Sequence, residues 1–345
     1  MKKILLVTAL LLSLFVSPAK ASACHLANVP SVSPDVSLGF PRSPGRLKTS
    51  GVVKYKVLFT KYVTSKDLSK KYAKEIFKSI NTPYVQKYFK EASYGKLSIK
   101  FDPHYVWLPM SQDPINYGFY DIYAPNGREA QASLVKEAMA VSGLDFSGYD
   151  GILILSDPTE YFVYHSPAIQ YPFSANINNA VVFGSFLSWG YDWESVLIHE
   201  LGHNFGLLDL WRNIDTVGEF SIMGNAYSYN GLLGWEKYNL GWLGESSVGC
   251  GAGTYKLKPL NDKKGLRMAV YPLSATSAIV VERRKNGGID ENVFGDGIIV
   301  YTVNTDRREN PILIQNNIRF LKKGKTLNIE GVSVKNNGSS VSIGG

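Results

Sequence analysis

The apolar positions of the chain change period several times, and each change marks an element. Residues 52–63 (VVKYKVLFTKYV) alternate and then run apolar, as a strand entering a core does. From 69 to 90, Tyr72, Ile76, Phe77, Ile80, Val85 and Phe89 recur at largely helical spacing, and Pro83 divides the stretch in two. Alternation returns over 96–108. Residues 127–141 predict a helix with Ala132, Val135, Ala138 and Met139 on one face. The GILIL run at 151–155 predicts a buried strand and 180–183 another. The Pro-, Asn- and Tyr-rich stretch between them, 156–178, reads as a long loop of the kind that carries function.

The next helix should start at an Asp192 N-cap, carry Glu194 in its first turn and end near Gly206. A further helical pattern covers GLLGWEKYNL. From Tyr255 onward, short strand-like runs (YKLKPL, MAVYPL, AIVVERR, GIIVYTV, ILIQ, VSVKN) alternate with Gly/Asn/Asp turns, which predicts an all-β, sandwich-like region. No internal repeat is visible. The expected fold class is α+β: a mixed sheet with helices over 51–246, followed by a β domain over 247–345. Residues 22–50, rich in Pro, Ser and Gly, read as an extended lead-in.

Ahead of the lead-in, Lys2 and Lys3 precede an apolar stretch, 4–16, and Ala19-Lys20-Ala21 supplies small residues for cleavage. Residues 1–21 therefore read as an export signal, too short to stay as a membrane span, and no other segment approaches a spanning length. Its removal takes away three lysines and no acid, so the formal charge falls from +8 to +5. The remaining lysines are scattered without aromatic interleaving and read as solvated faces, which argues against a nucleic-acid partner. With 45% hydrophobic and 19% charged residues the chain is a folded protein, and a secreted monomer is expected.

Cys24 and Cys250 are the two cysteines. Outside the cytoplasm they predict one disulfide. Two rival roles for Cys24 stand beside it: a lipid attachment site, and a latency thiolate that fills an open metal position.

The chemistry concentrates in one helix. His199 and His203 stand four residues apart, about 6 Å along the axis and on one face. Two neutral imidazoles so placed can close on one metal, and zinc accepts them best. Glu200 sits one step round, where it reaches a water at the metal without ligating. Gly206 can turn the chain so that Asp209 folds back as third ligand; Glu236, in the downstream helix, is the competing acid. Ser221-Ile222-Met223-Gly224 has the form of a methionine turn that could floor the site, with Tyr227 or Tyr229 near enough to aid an oxyanion. His104 and His165 read as structural, although His165 lies in the long loop and could line a cleft. No specific motif calls for calcium, which stands only as an option beside zinc.

The bland alternative, two histidines and a glutamate on a solvated helix face, fits poorly. Val196, Leu197, Ile198, Leu201 and Phe205 make the helix apolar nearly all round, and buried imidazoles need partners.

The strings from His199 to Asp209, Ser221 to Gly224 and Leu233 to Leu243, together with Gly39 to Ser43 and Gly297 to Thr305, resemble the immune inhibitor A family of secreted bacterial zinc peptidases. The resemblance covers most of 38–313. It implies a metzincin-like catalytic domain, zinc held by His199, His203 and Asp209, and Glu200 as the catalytic carboxylate. The expected function is thus a secreted zinc-dependent endopeptidase, with protein or peptide as substrate. Two other classes remain: a catalytically silent relative that binds a surface polymer through its β region, and a zinc amidohydrolase acting on other amides.

Overall fold

Strand β1 (Gly51–Lys61) is an interior strand of the first sheet. In the computed structural model, which describes residues 24–30, 37–119, 127–158, 167–184, 193–210 and 216–345, it pairs in parallel with β2 (Leu97–Pro109) and β3 (Gly151–Ser156). β3 pairs in parallel with β5 (Asn179–Phe183), and β4 (Ala168–Gln170) runs antiparallel to β5 at the edge, giving the order β2-β1-β3-β5-β4. β3 and β5 are apolar and buried over nearly their full length because helices cover both faces of the sheet.

On one face lie α1 (Lys70–Ile80), α2 (Pro83–Ala92) and α4 (Trp193–Asn204). Val53, Tyr55, Val57 and Phe59 of β1 meet Phe77, Phe89, Leu197 and Leu201 there. Ser69 and Thr82 cap α1 and α2 by accepting from Tyr72 N and Val85 N. Pro83 begins α2 at a position where a missing N–H costs nothing. On the other face, Leu58, Ile152, Ile154 and Val182 pack on Ala132, Val135 and Ala138 of α3 (Gly127–Ser142).

The second half holds two sheets. One, in the order β11-β10-β9-β8-β6, is built from β6 (Val248–Cys250), β8 (Met268–Pro272), β9 (Ser277–Lys285), β10 (Asp296–Asn304) and β11 (Ile312–Ile314). The other, in the order β12-β13-β14-β7, contains β7 (Gly253–Tyr255), β12 (Thr326–Ile329), β13 (Val332–Asn336) and β14 (Val341–Gly344). Ala269, Ile279, Val281 and Val300 meet Val332, Val334, Val341 and Ile343 in one core between them. The opposite face of β8–β10, with Val270, Val280 and Tyr301, joins the core that surrounds α4 and α5 (Gly234–Asn239).

The fold class is therefore α+β, and most expected elements are present within a residue or two. The stretch 156–178 needs correcting. Part of it is strand β4, whose three residues between Pro167 and Pro172 carry no period of their own. Within YKLKPL only Tyr255 belongs to a strand, β7, and β6, β12 and β14 are additional. The export signal, the Asp192 cap and His165 lie outside the described residues. Among the described residues no helix is long and apolar enough to cross a membrane.

Candidate metal centre

Helix α4 buries nearly everything it carries, including His199, Leu201, Gly202 and Asn204. Asn204 Nδ2 donates to Tyr55 Oη at 2.9 Å and to Ala180 O at 3.3 Å, so the helix end is tied to the sheet. The helix stops where Gly206 takes φ +92°, a region closed to most side chains. From there the chain returns past Leu207 to Asp209.

The two imidazoles meet edge to face, with their Nε2 atoms 3.2 Å apart. His199 Nδ1 lies 2.9 Å from Ile222 O, and His203 Nδ1 lies 2.8 Å from Leu207 O. A carbonyl can only accept, so each Nδ1 carries a proton and Nε2 is the ring nitrogen left to face a metal once its own proton is displaced. Asp209 Oδ1 is 3.0 Å from His199 Nε2 and 3.4 Å from His203 Nε2. Donor atoms about 2.0–2.1 Å from a tetrahedral ion lie about 3.3 Å from one another. The observed triangle of two nitrogens and one carboxylate oxygen matches that spacing, and its chemistry suits a small divalent ion. His199, Glu200 and His203 form a group that could hold a metal ion, with ligating atoms all within 4.8 Å of one another. Side-chain exposure rises from 5% at His199 to 20% at His203 and 42% at Asp209, so the triangle opens to solvent on the aspartate side.

Glu200 Oε2 accepts from Ala168 N of the edge strand at 2.9 Å. Burial raises the Glu200 pKa, against the pull of His203 and His199. At His203 burial works toward a lower pKa, but the charge and hydrogen bond of Asp209 outweigh it and raise the value to about 9. Burial also opposes the charge on Asp209, but His203 and His199 prevail and hold that carboxyl far below its usual range. A metal binding here competes with the proton shared across this set.

Met223 lies beneath the helix. A Cβ on Gly202 would come within 2.7 Å of Met223 Sδ, so a side chain at this position would have to displace the methionine sulfur. Glu236 is engaged elsewhere. Its Oε2 accepts from Ser221 Oγ at 2.8 Å and from Leu233 N at 2.7 Å, while Ser221 Oγ accepts from Met223 N at 3.1 Å. The competing acid thus fastens the turn whose Ile222 carbonyl orients His199. Tyr229 packs its ring on Tyr84 of α2 at 4.9 Å, and Tyr227 is 53% exposed. His104 is half-buried on β2, away from the helix in sequence and sheet position.

Three contributions escaped sequence reasoning. One is the Ala168 amide, hidden because β4 is so short. Another is the lead-in, which reaches the end of α4. The last is a buried charge cluster from the β region: Arg284 donates to Phe220 O at 2.6 Å and pairs with Glu282 and Asp290, and Asp290 Oδ1 accepts from Gly231 N at 2.9 Å. The alternating pattern of β9 would have exposed one face, yet both Glu282 and Arg284 have no exposed surface.

Cys24 and Cys250 are joined in a disulfide, which fits an extracytoplasmic location. With its sulfur bonded, Cys24 is neither a lipid attachment site nor a latency thiolate in this structure. No family model and no curated protein sequence matches the chain.

Proposed function

We propose that this chain is a secreted, zinc-dependent endopeptidase with a zincin/metzincin-like catalytic region, related to the immune inhibitor A peptidases it resembles. The observation that carries the reading is the donor triangle of His199, His203 and Asp209 with Glu200 beside it. Those three residues would hold zinc, which when bound supplies Lewis acidity toward a water and a carbonyl oxygen. Glu200 takes a proton from the attacking water and passes it to the leaving amine. Its elevated pKa suits both halves of that transfer. The Ala168 amide holds the carboxylate in place before substrate arrives.

Peptide is favoured over other amides by the position of β4. This strand lies at the edge of its sheet, and one of its amides points at the catalytic carboxylate. An extended peptide can add to such an edge through main-chain bonds and so lie across the metal. Tyr227 or Tyr229, on the segment after the methionine turn, is proposed to donate a hydrogen bond to the developing oxyanion. The enzyme is proposed to act as a monomer.

The test is cleavage of a fluorogenic peptide library by the mature protein, before and after chelation and after zinc is returned. Zinc-restored cleavage is expected. A protein that binds zinc but cleaves no peptide would instead support a binding function.

A further inference from the structure

Every helix ends with carbonyls that have no partner within the helix. At the end of α4 they are met from the lead-in, which stands 157 residues earlier at one of these contacts. Ser37 N donates to Gly206 O at 2.9 Å and Leu47 N to Asn204 O at 3.1 Å. Arg42 Nη2 donates to Phe205 O at 2.5 Å and Arg46 Nη1 to His203 O at 3.4 Å. Four consecutive carbonyls, 203–206, therefore accept from residues 37–47. His203 O accepts in addition from Gly206 N at 2.8 Å.

This turn sets the geometry of the metal centre. It carries His203, whose ring is oriented by Leu207 O on the outgoing side, and it launches the chain toward Asp209. Arg46 packs over Gly206, with Cγ 3.2 Å from where a Cβ would stand. Two guanidinium groups at this end also oppose the partial negative charge of the helix terminus.

The lead-in is itself held on several sides. The disulfide anchors Cys24, Trp235 Nε1 donates to Leu38 O at 2.8 Å, Asn239 Nδ2 donates to Gly39 O at 2.7 Å, and Asn179 Nδ2 donates to Gly45 O at 3.3 Å.

We propose that Arg42 and Arg46 are positioning residues of the metal centre: by capping the carbonyls of Phe205 and His203 they hold the turn that presents His203 and Asp209. The lead-in is then a permanent part of the site, and losing it would impair the site instead of activating it. This rests on the metal reading of the triangle.

The test uses Co2+ as probe on the full mature chain, comparing the wild type with the double variant Arg42→Ala/Arg46→Ala and with Lys48→Ala as a control in the same segment. The double variant is expected to bind Co2+ about tenfold or more weakly, the usual range for outer-shell changes, with a shifted visible absorption band. Added guanidinium should restore part of both, a rescue that a purely structural defect would not show. The Lys48 variant should match the wild type. A folded double variant with wild-type affinity and spectrum would overturn the proposal. Should the double variant fail to fold, Arg42→Lys and Arg46→Lys decide: weaker Co2+ binding supports the proposal, and unchanged binding in both overturns it. Absence of Co2+ binding by the wild type would instead overturn the metal reading itself.

Discussion

Asp209 Oδ1 stands 3.0 Å from His199 Nε2, although the two residues belong to different arms of the turn at Gly206. Glu236, the other acid within reach by sequence, is engaged with Ser221 and Leu233. Replacing each by alanine should separate ligand from support. Asp209→Ala is expected to lose metal by more than the roughly 10- to 100-fold of an outer-shell change. Glu236→Ala should keep a full equivalent of metal, bound within that smaller penalty. Metal content after gel filtration in dilute chelator reads the difference.

Glu200 lies beside the triangle and has a distinct role in the proposed chemistry. Glu200→Gln removes the proton acceptor but preserves shape and the Ala168 contact. Metal stoichiometry should be unchanged while kcat falls by about 10²–10⁴-fold, the range of general acid–base catalysis. Single-turnover cleavage at full metal loading measures it, and wild-type turnover in this variant would refute the assigned role.

The environment of Glu236 makes a pH prediction. Burial raises its pKa to about 7 from the ordinary 4.5, more than the Leu233 and Ser221 hydrogen bonds lower it. Between those values the folded chain keeps the proton and the unfolded chain has released it, so this group's contribution to stability declines as pH rises through the window. Glu236→Gln removes the decline. The stability of wild type relative to the variant should therefore be greater at pH 5 than at pH 8, as urea midpoints at the two values would show.

The contact between Gly202 and Met223 predicts a steric effect. Gly202→Ala forces a methyl group against the sulfur, and overpacking of this kind costs about 1–3 kcal/mol. Met223→Leu in the same chain should not relieve the clash, because the branched side chain is no slimmer there. A lowered thermal midpoint together with weaker Co2+ binding is the expected result, and a Gly202→Ala variant with wild-type values of both would show that the turn yields freely.

Much of the fold near the site was legible because it depends on neighbours in sequence. The division of α1 from α2 follows from Pro83. The common face of His199 and His203 follows from helical spacing, and the turn after them from a single glycine. Strand β4 was not legible, since three residues between prolines become a strand only by pairing with β5. Glu282 and Arg284 were equally opaque: on β9 they look like solvated charges, but they lie between the sheet, Phe220 and Asp290.

By itself, the sequence determined the donor types, their placement on one helix and the glycine that ends it, because those are consequences of local geometry. Tertiary structure alone decided which acid meets the imidazoles and which fastens the turn beneath them. It also decided that residues 37–47 cap the helix. Those outcomes depend on contacts between segments far apart in the chain, and no periodicity within either segment encodes such contacts.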